Sequence, residues 1–190
     1  MIFLYRLILK IHTIAQNIYD KAYIEVCKYR GMKVGDGVIF IEAPAFGSEP
    51  YLIEIGDRTK ITAGATFINH DGAMYTIRNM AKYQDARNFG RIKIGENCFV
   101  GNNCTFLPGS QMGNNCILGA GSVLNSSMPD NSVFAGVPAK FICTVDEYGE
   151  KAMKNNIMYP RELEKNRKEL DHYIKENLPH IYKPIKKPQP

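Results

Sequence analysis

From Ile94 onward an aliphatic, Met or Phe residue returns at every sixth position: Ile94, Val100, Phe106, Met112, Leu118 and Leu124. A small residue follows four places after each of the first five, at Cys98, Cys104, Ser110, Cys116 and Ser122, until Met128 breaks the series. Glycine comes directly after the lead at Gly95, Gly101, Gly113 and Gly119. A period of six fits neither a helix of about 3.6 residues per turn nor the alternation of a simple strand. Short self-similar units predict a solenoid instead, a parallel β-helix in which each hexapeptide gives one short strand and one corner. The lead residue then points into a stacked core, and the residue four later must be small to fit beside it. Glycine and asparagine at the corners accept left-handed backbone angles that other residues resist. Three hexapeptides close one triangular coil, and coils must stack to bury what no single coil can.

The period begins earlier in weaker form. Leads fall at Val34, Phe40 and Phe46, then, after a slip of three residues around Glu49 to Tyr51, at Ile55, Ile61 and Phe67. Aligned with the later run, they predict three faces: Val34, Ile55, Ile94 and Met112; Phe40, Ile61, Val100 and Leu118; Phe46, Phe67, Phe106 and Leu124. Between residues 72 and 91 the period vanishes into a stretch rich in Tyr, Arg and Asp, too long for a corner and a candidate functional loop.

The repeat is flanked by helical patterns. Residues 1–33 lack Pro and reach their first Gly at Gly31, which predicts a helix of several turns ending there. Its first eleven residues are strongly apolar, yet Arg6 and Lys10 interrupt them, so the segment is too short and too charged to span a membrane. It also lacks the small-residue cleavage site of a signal peptide. Two readings stay open: a helix packed on the solenoid or on a neighbouring subunit, or a basic interfacial helix making peripheral contact with an anionic membrane. Residues 146–190 read as a helical arm, with a second helix opened by Pro160 and helix-spaced pairs among Glu162, Lys165, Lys168 and Glu169. A Pro-rich tail, KPIKKPQP, follows. The arm is expected to cap the open end of the solenoid. The organisation is thus 1–33 helix, 34–145 repeat with its inserted loop at 72–91, and 146–190 arm.

Charge and cysteine content narrow the classes. Residues 1–33 carry six Lys or Arg against two acids, whereas residues 34–145 carry eight against nine, so the repeat body offers no nucleic-acid surface. Of the five cysteines, three fill small core positions of the repeat, which points to reduced structural thiols in a cytoplasmic protein rather than to a disulfide or metal framework.

The run IGENCFVGNN, followed by LPGSQMGNNCILGAGSVL and MPDNSVFAGVPAKFI, resembles the hexapeptide-repeat acyltransferases over about residues 34–145. The segment FINHDGAMYTIR resembles the branch that O-acetylates sugars and surface polysaccharides, related to the maltose, galactoside and streptogramin acetyltransferases. The resemblance implies a mainly β fold, a left-handed parallel β-helix assembled as a homotrimer. It also implies acetyl-CoA as cosubstrate, no metal, and a sugar or glycan acceptor.

The candidate chemistry centres on His70. His12, His172 and His180 lie in the terminal segments, so His70 is the sole imidazole of the repeat body, three residues past the lead Phe67 and beside the long loop. A lone histidine at a corner is ordinarily just exposed surface; position and motif together make this one the expected general base. Glu54 and Asp71 are candidates to orient it. Asn69, Asp71, Tyr75 and Arg78 are expected to bind the acceptor, with Tyr83, Asp85 and Arg87 further along the loop, although a salt bridge between subunits suits Arg78 equally well. The resemblance assigns the cofactor to Asn102, Ala120, Gly121, Asn125 and Lys140, the last as a point charge for a CoA phosphate. Relatives often carry Thr-Lys-Asp where this chain has Asn125, Ser126 and Ser127, so a basic contact is missing. An N-acetyltransferase on an amino sugar is the alternative within the enzymes, and a non-catalytic scaffold the alternative outside them. A metalloenzyme of the gamma carbonic anhydrase type needs three histidines, of which the rod supplies one.

Overall fold

The period of six closes into stacked coils. The protein is described from a computed structural model over residues 1–154 and 159–178; the Pro-rich tail lies outside the described residues. Three stacks of very short strands form the solenoid. The first holds Lys33–Val34, Ile53–Ile55, Ile92–Ile94, Gln111–Met112 and Ser127–Met128. The second holds Ile39–Phe40, Lys60–Ile61, Phe99–Val100, Ile117–Leu118 and Ser132–Ala135, all parallel. The third holds Thr66–Phe67, Thr105–Phe106 and Val123–Leu124, extended downward by a bridge from Ala45 to Thr66. Registers pair Ile94 with Met112, Val100 with Leu118 and Phe106 with Leu124, each pair one eighteen-residue coil apart.

The core is the column of lead residues. Ile55, Ile61, Phe67, Ile94, Val100, Phe106, Met112, Leu118 and Leu124 are all essentially inaccessible. Beside them the small residues are buried as well, and the cysteine sulfurs are partnered where a coil turns: Cys104 Sγ donates to the Gly119 carbonyl at 3.2 Å, and Cys116 Sγ to that of Pro129 at 3.0 Å. Left-handed corners fall at Asn97, Asn103, Asn115 and Asn131. The side chains of three of them, Asn97, Asn115 and Asn131, also bind coil to coil, with Asn97 Nδ2 donating to Asn115 and Asn115 Nδ2 to Asn131. Asparagine therefore supplies both the tolerated backbone angle and an amide ladder down the corner.

Three details depart from the pattern. Met128 interrupts the small residues only because it is itself a member of the first stack, paired with Met112 and 3% exposed, the preceding corner being two residues, 125 and 126, where the one before it has four, 119–122. The strand Lys140–Thr144 turns back antiparallel on Ser132–Ala135, so one face ends in a hairpin that covers its last parallel edge. The three-residue slip around Glu49 becomes a 3-10 turn at Pro50–Leu52.

The N-terminal helix runs from Ile2 to Tyr29. Only its last turns pack on the first coil. Tyr23 stacks on Phe46 with ring centroids 5.9 Å apart, its hydroxyl accepts from the Phe46 amide, and Cys27 is buried. Every residue from Met1 to Tyr19 is exposed. No helix among the described residues is long and apolar enough to cross a membrane.

Two compact units divide the chain, Met1–Tyr148 and Gly149–Pro190. The helix Val145–Lys154 begins at a reciprocal cap, in which the Thr144 amide donates to Glu147 and the Glu147 amide to Thr144 Oγ1. In the second unit the helix expected from Pro160 is broken. Arg161–Lys165 forms a 3-10 turn, and Asn166, whose side chain accepts from the Lys168 amide, starts a new helix over Arg167–Asn177.

Candidate active site

The phenylalanine stack positions the site. Phe46, Phe67 and Phe106 are stacked in consecutive coils, at centroid distances of 5.4 and 4.8 Å. Glu49 stands three residues after Phe46, as His70 stands three after Phe67, so the two occupy equivalent corner positions one coil apart. Glu49 Oε2 lies 2.8 Å from His70 Nδ1. The same oxygen accepts the Ser48 hydroxyl at 2.9 Å. Burial would push the Glu49 carboxyl up, but its hydrogen bonds to His70 and Ser48, together with charge on His70 and Arg30, outweigh that and hold it below the ordinary value. An ionised carboxylate can only accept, so Nδ1 of His70 carries a proton toward Glu49, and Nε2 is the nitrogen that offers a lone pair in the neutral imidazole.

The backbone around the pair is held from both sides. Asn69, wholly buried, donates through Nδ2 to the carbonyls of Phe46 and Glu49, at 3.0 and 2.9 Å. Gly47 makes room for it: its φ is +70°, and a Cβ there would meet Asn69 Oδ1 at 2.9 Å. On the other side the long loop is pinched shut at His70. The Asp71 amide donates to the Asn88 carbonyl and the Gly90 amide to the Asn69 carbonyl, which brings the Phe89 ring within 6.0 Å of the imidazole.

His70 borders a cavity of about 500 Å³ lined by Ile68, Asp71, Gly72, Asn88, Leu107, Pro108 and Asn125. Ile68, Leu107 and Asn125 each follow a lead of the third stack, so one wall is the outside of that stack and the other is the loop. A base with a free lone pair beside a partly apolar cavity can take a proton from a hydroxyl held there.

The expected residues fall into distinct groups. Asp71 and Asn125 share the cavity with His70, although the Asp71 carboxylate also accepts the Ala73 amide and so shapes the loop. Asn69 is scaffold rather than acceptor contact, because its side chain is buried and turned to backbone carbonyls. Tyr75 is exposed on the short helix Met74–Ile77 and Arg78 ends that helix half-buried; neither lines the cavity. Asn102, Ala120 and Gly121 gather at another corner of the coil, where the Gly121 amide is taken by the Asn102 carbonyl at 2.8 Å and so is not open to a ligand. Lys140 is exposed on the final hairpin strand. Within one chain these four do not meet His70. Neither expected orienting carboxylate is the partner: Glu54 pairs with Lys93 and Lys33, and the residue missed is Glu49. Counting one coil back from His70 within its own stack would have found it. Cys98, Cys104 and Cys116 are buried, and burial pushes the Cys104 thiol up, away from the thiolate a nucleophile needs.

Glu49 also couples stability to pH. Its carboxyl binds its proton less readily folded than unfolded, so the stabilisation is complete above the unfolded value and is lost as pH falls through the lower, folded one. Glu49→Gln is expected to be less stable than the parent at neutral pH, with the difference closing in acid below the ordinary carboxylate range. Urea unfolding of both proteins at the two pH values measures it. A gap that stays constant would show that the pair contributes nothing electrostatic.

The family described as bacterial transferase hexapeptide (six repeats) matches residues 91–126. Protein CapG of Staphylococcus aureus is 42% identical over 142 residues, covering 74% of this chain and 81% of that protein. A putative lipopolysaccharide biosynthesis O-acetyl transferase, WbbJ of Escherichia coli, is 49% identical over 51 residues, 27% of this chain and 26% of that one. Among solved structures, a maltose O-acetyltransferase from Clostridium difficile superposes with a TM-score of 0.50 at 20% identity, over 63% of this chain and 73% of that one, a likeness of fold alone.

Proposed function

The chain belongs to the hexapeptide-repeat acyltransferases, and from that premise we propose that it transfers an acetyl group from acetyl-CoA to a hydroxyl of a sugar or surface-polysaccharide precursor, with His70 as general base. The observation that carries this reading is the Glu49–His70 pair beside the cavity. Glu49 holds Nδ1 protonated, and Nε2 takes the acceptor's hydroxyl proton. The acceptor oxygen bonds to the thioester carbonyl carbon, the tetrahedral oxyanion collapses, and the carbon–sulfur bond breaks. The imidazolium returns its proton to the leaving CoA thiolate, so acceptor and donor exchange acetyl for hydrogen and the protein ends unchanged.

The putative lipopolysaccharide O-acetyl transferase among the similar proteins supports a sugar acceptor. The fold that accompanies the reading is a left-handed coil in a homotrimer. Asn102, Ala120, Gly121 and Lys140 of one copy then serve the His70 of a neighbour, which accounts for their separation within one chain. Gly121 leaves room for a close approach, since a Cβ there would meet nothing within the chain, while its φ of +72° favours glycine at the corner. The enzyme works in the cytoplasm, where acetyl-CoA is available, with the N-terminal helix as its point of membrane contact.

The test mixes purified protein with acetyl-CoA and free sugars, amino sugars, nucleotide sugars and oligosaccharides, and follows CoA thiol release. Release with one hydroxyl acceptor class is expected. Failure to bind acetyl-CoA would overturn the reading in favour of a scaffold, and release with amino sugars alone would turn it to N-acetylation. Glu49→Gln is expected to lower kcat by roughly 10- to 100-fold, by analogy with metal-bound histidines that lose the carboxylate orienting them. The KM for acetyl-CoA should barely move; a loss confined to KM would remove Glu49 from its positioning role.

A further inference from the structure

We infer that the free part of the N-terminal helix is an anchor for an anionic lipid surface. The helix packs on the solenoid through its last turns, from Tyr23 onward, and its first nineteen residues, about 28 Å of helix at 1.5 Å per residue, are all exposed. At about 100° per residue, Leu4, Leu7, Ile11, Ile14 and Ile18 fall along one side. Arg6 and Lys10 fall together on a narrow polar strip, neither in an ion pair among the described residues, and no acid precedes Asp20. Apolar bulk with a purely basic strip is the complement of a bilayer whose headgroups are negative.

A second copy of the chain is the competing occupant, because those five residues are also spaced three and four apart as in a coiled-coil seam. Two observations favour the bilayer. Ile2 and Leu9 lie about half a turn away from that seam, so helix pairing would leave them in water, whereas a tilted tip in lipid covers them. Parallel copies would also set Arg6 and Lys10 beside their equivalents with no acid to pair, a repulsion that an anionic surface turns into attraction.

The chain holds no Trp, so Phe3→Trp gives a probe that reports on the tip alone. Full-length protein is mixed with phosphatidylcholine vesicles, with or without phosphatidylglycerol, and both sedimentation and Trp emission are read. Binding and a blue shift are expected with phosphatidylglycerol and not without it. Arg6→Gln with Lys10→Gln should weaken binding about 30-fold, at roughly fivefold per basic side chain near such a surface. Leu7→Gln with Ile11→Gln should abolish it while the circular dichroism and the particle mass without lipid stay unchanged, since both residues are exposed. Equal binding to both vesicle types, or none to either, overturns the inference. So does a fall in particle mass on Leu7→Gln with Ile11→Gln, which would give this face to another copy. None of these readouts needs catalysis, so their failure is separable from failure of the proposed activity.

Discussion

His70→Ala is expected to lower kcat by roughly 10²- to 10⁴-fold, the range by which a positioned base accelerates proton transfer, or about 3–5 kcal/mol in the barrier. The loss should fall on turnover alone. The imidazole side chain is 44% exposed, and its ring touches Glu49 and Phe89 at the rim of the cavity rather than anything in the core. The fold should therefore survive, and thermal unfolding should show it. Affinity for acetyl-CoA should also largely survive, because in the proposed mechanism His70 meets the reacting groups while other side chains hold the rest of the CoA molecule. The assay is CoA thiol release at saturating donor and acceptor, with acetyl-CoA binding followed separately. Near-parent turnover in a folded His70→Ala protein would mean that the acceptor hydroxyl is activated elsewhere.

The solenoid was legible because its physics repeats. A lead every six residues, small partners and Asn or Gly corners are each demanded by a coil whose interior holds one side chain per face, and all three stacks follow from that period. The histidine proposed as the base stands out in the sequence because it is the only imidazole in the repeat. Its partner was harder to see, since Glu49 lies at the edge of the slip and becomes adjacent only when Phe46 is stacked under Phe67 and the corner position is counted back one coil. Asn69 misled for a related reason. A polar residue beside His70 in sequence reads as a substrate contact, but alternation at the corner turns its amide inward to the Phe46 and Glu49 carbonyls. The antiparallel return of Lys140–Thr144 was hidden too, because a strand at the end of the stack pairs with its neighbour through a turn and carries no six-residue mark.

Phe67→Ala should be the most damaging core substitution near the site, at about 3–5 kcal/mol of stability. The ring is 1% exposed and is clamped between Phe46 and Phe106, lying nearly parallel to the latter at an interplanar angle of 13°. Stacked coils cannot collapse sideways into the void, because each strand is fixed above and below by backbone bonds: the Phe67 amide donates to Ala45 and the Ile68 amide to Phe106. The cavity term should therefore be retained nearly in full. For a chain of this size the loss corresponds to a fall of about 6–20 °C in Tm, read by circular dichroism at one fixed protein concentration so that subunit association does not blur it. Tyr75→Ala, on a loop side chain 74% exposed, is the control and should stay within about 0.5 kcal/mol. Because Phe67 sets the height of the corner three residues later, kcat should fall with stability even where the protein remains folded, as His70 drifts from Glu49. A Phe67→Ala protein with unchanged Tm would mean that the phenylalanine column carries no load, and the register that places Glu49 under His70 would lose its support.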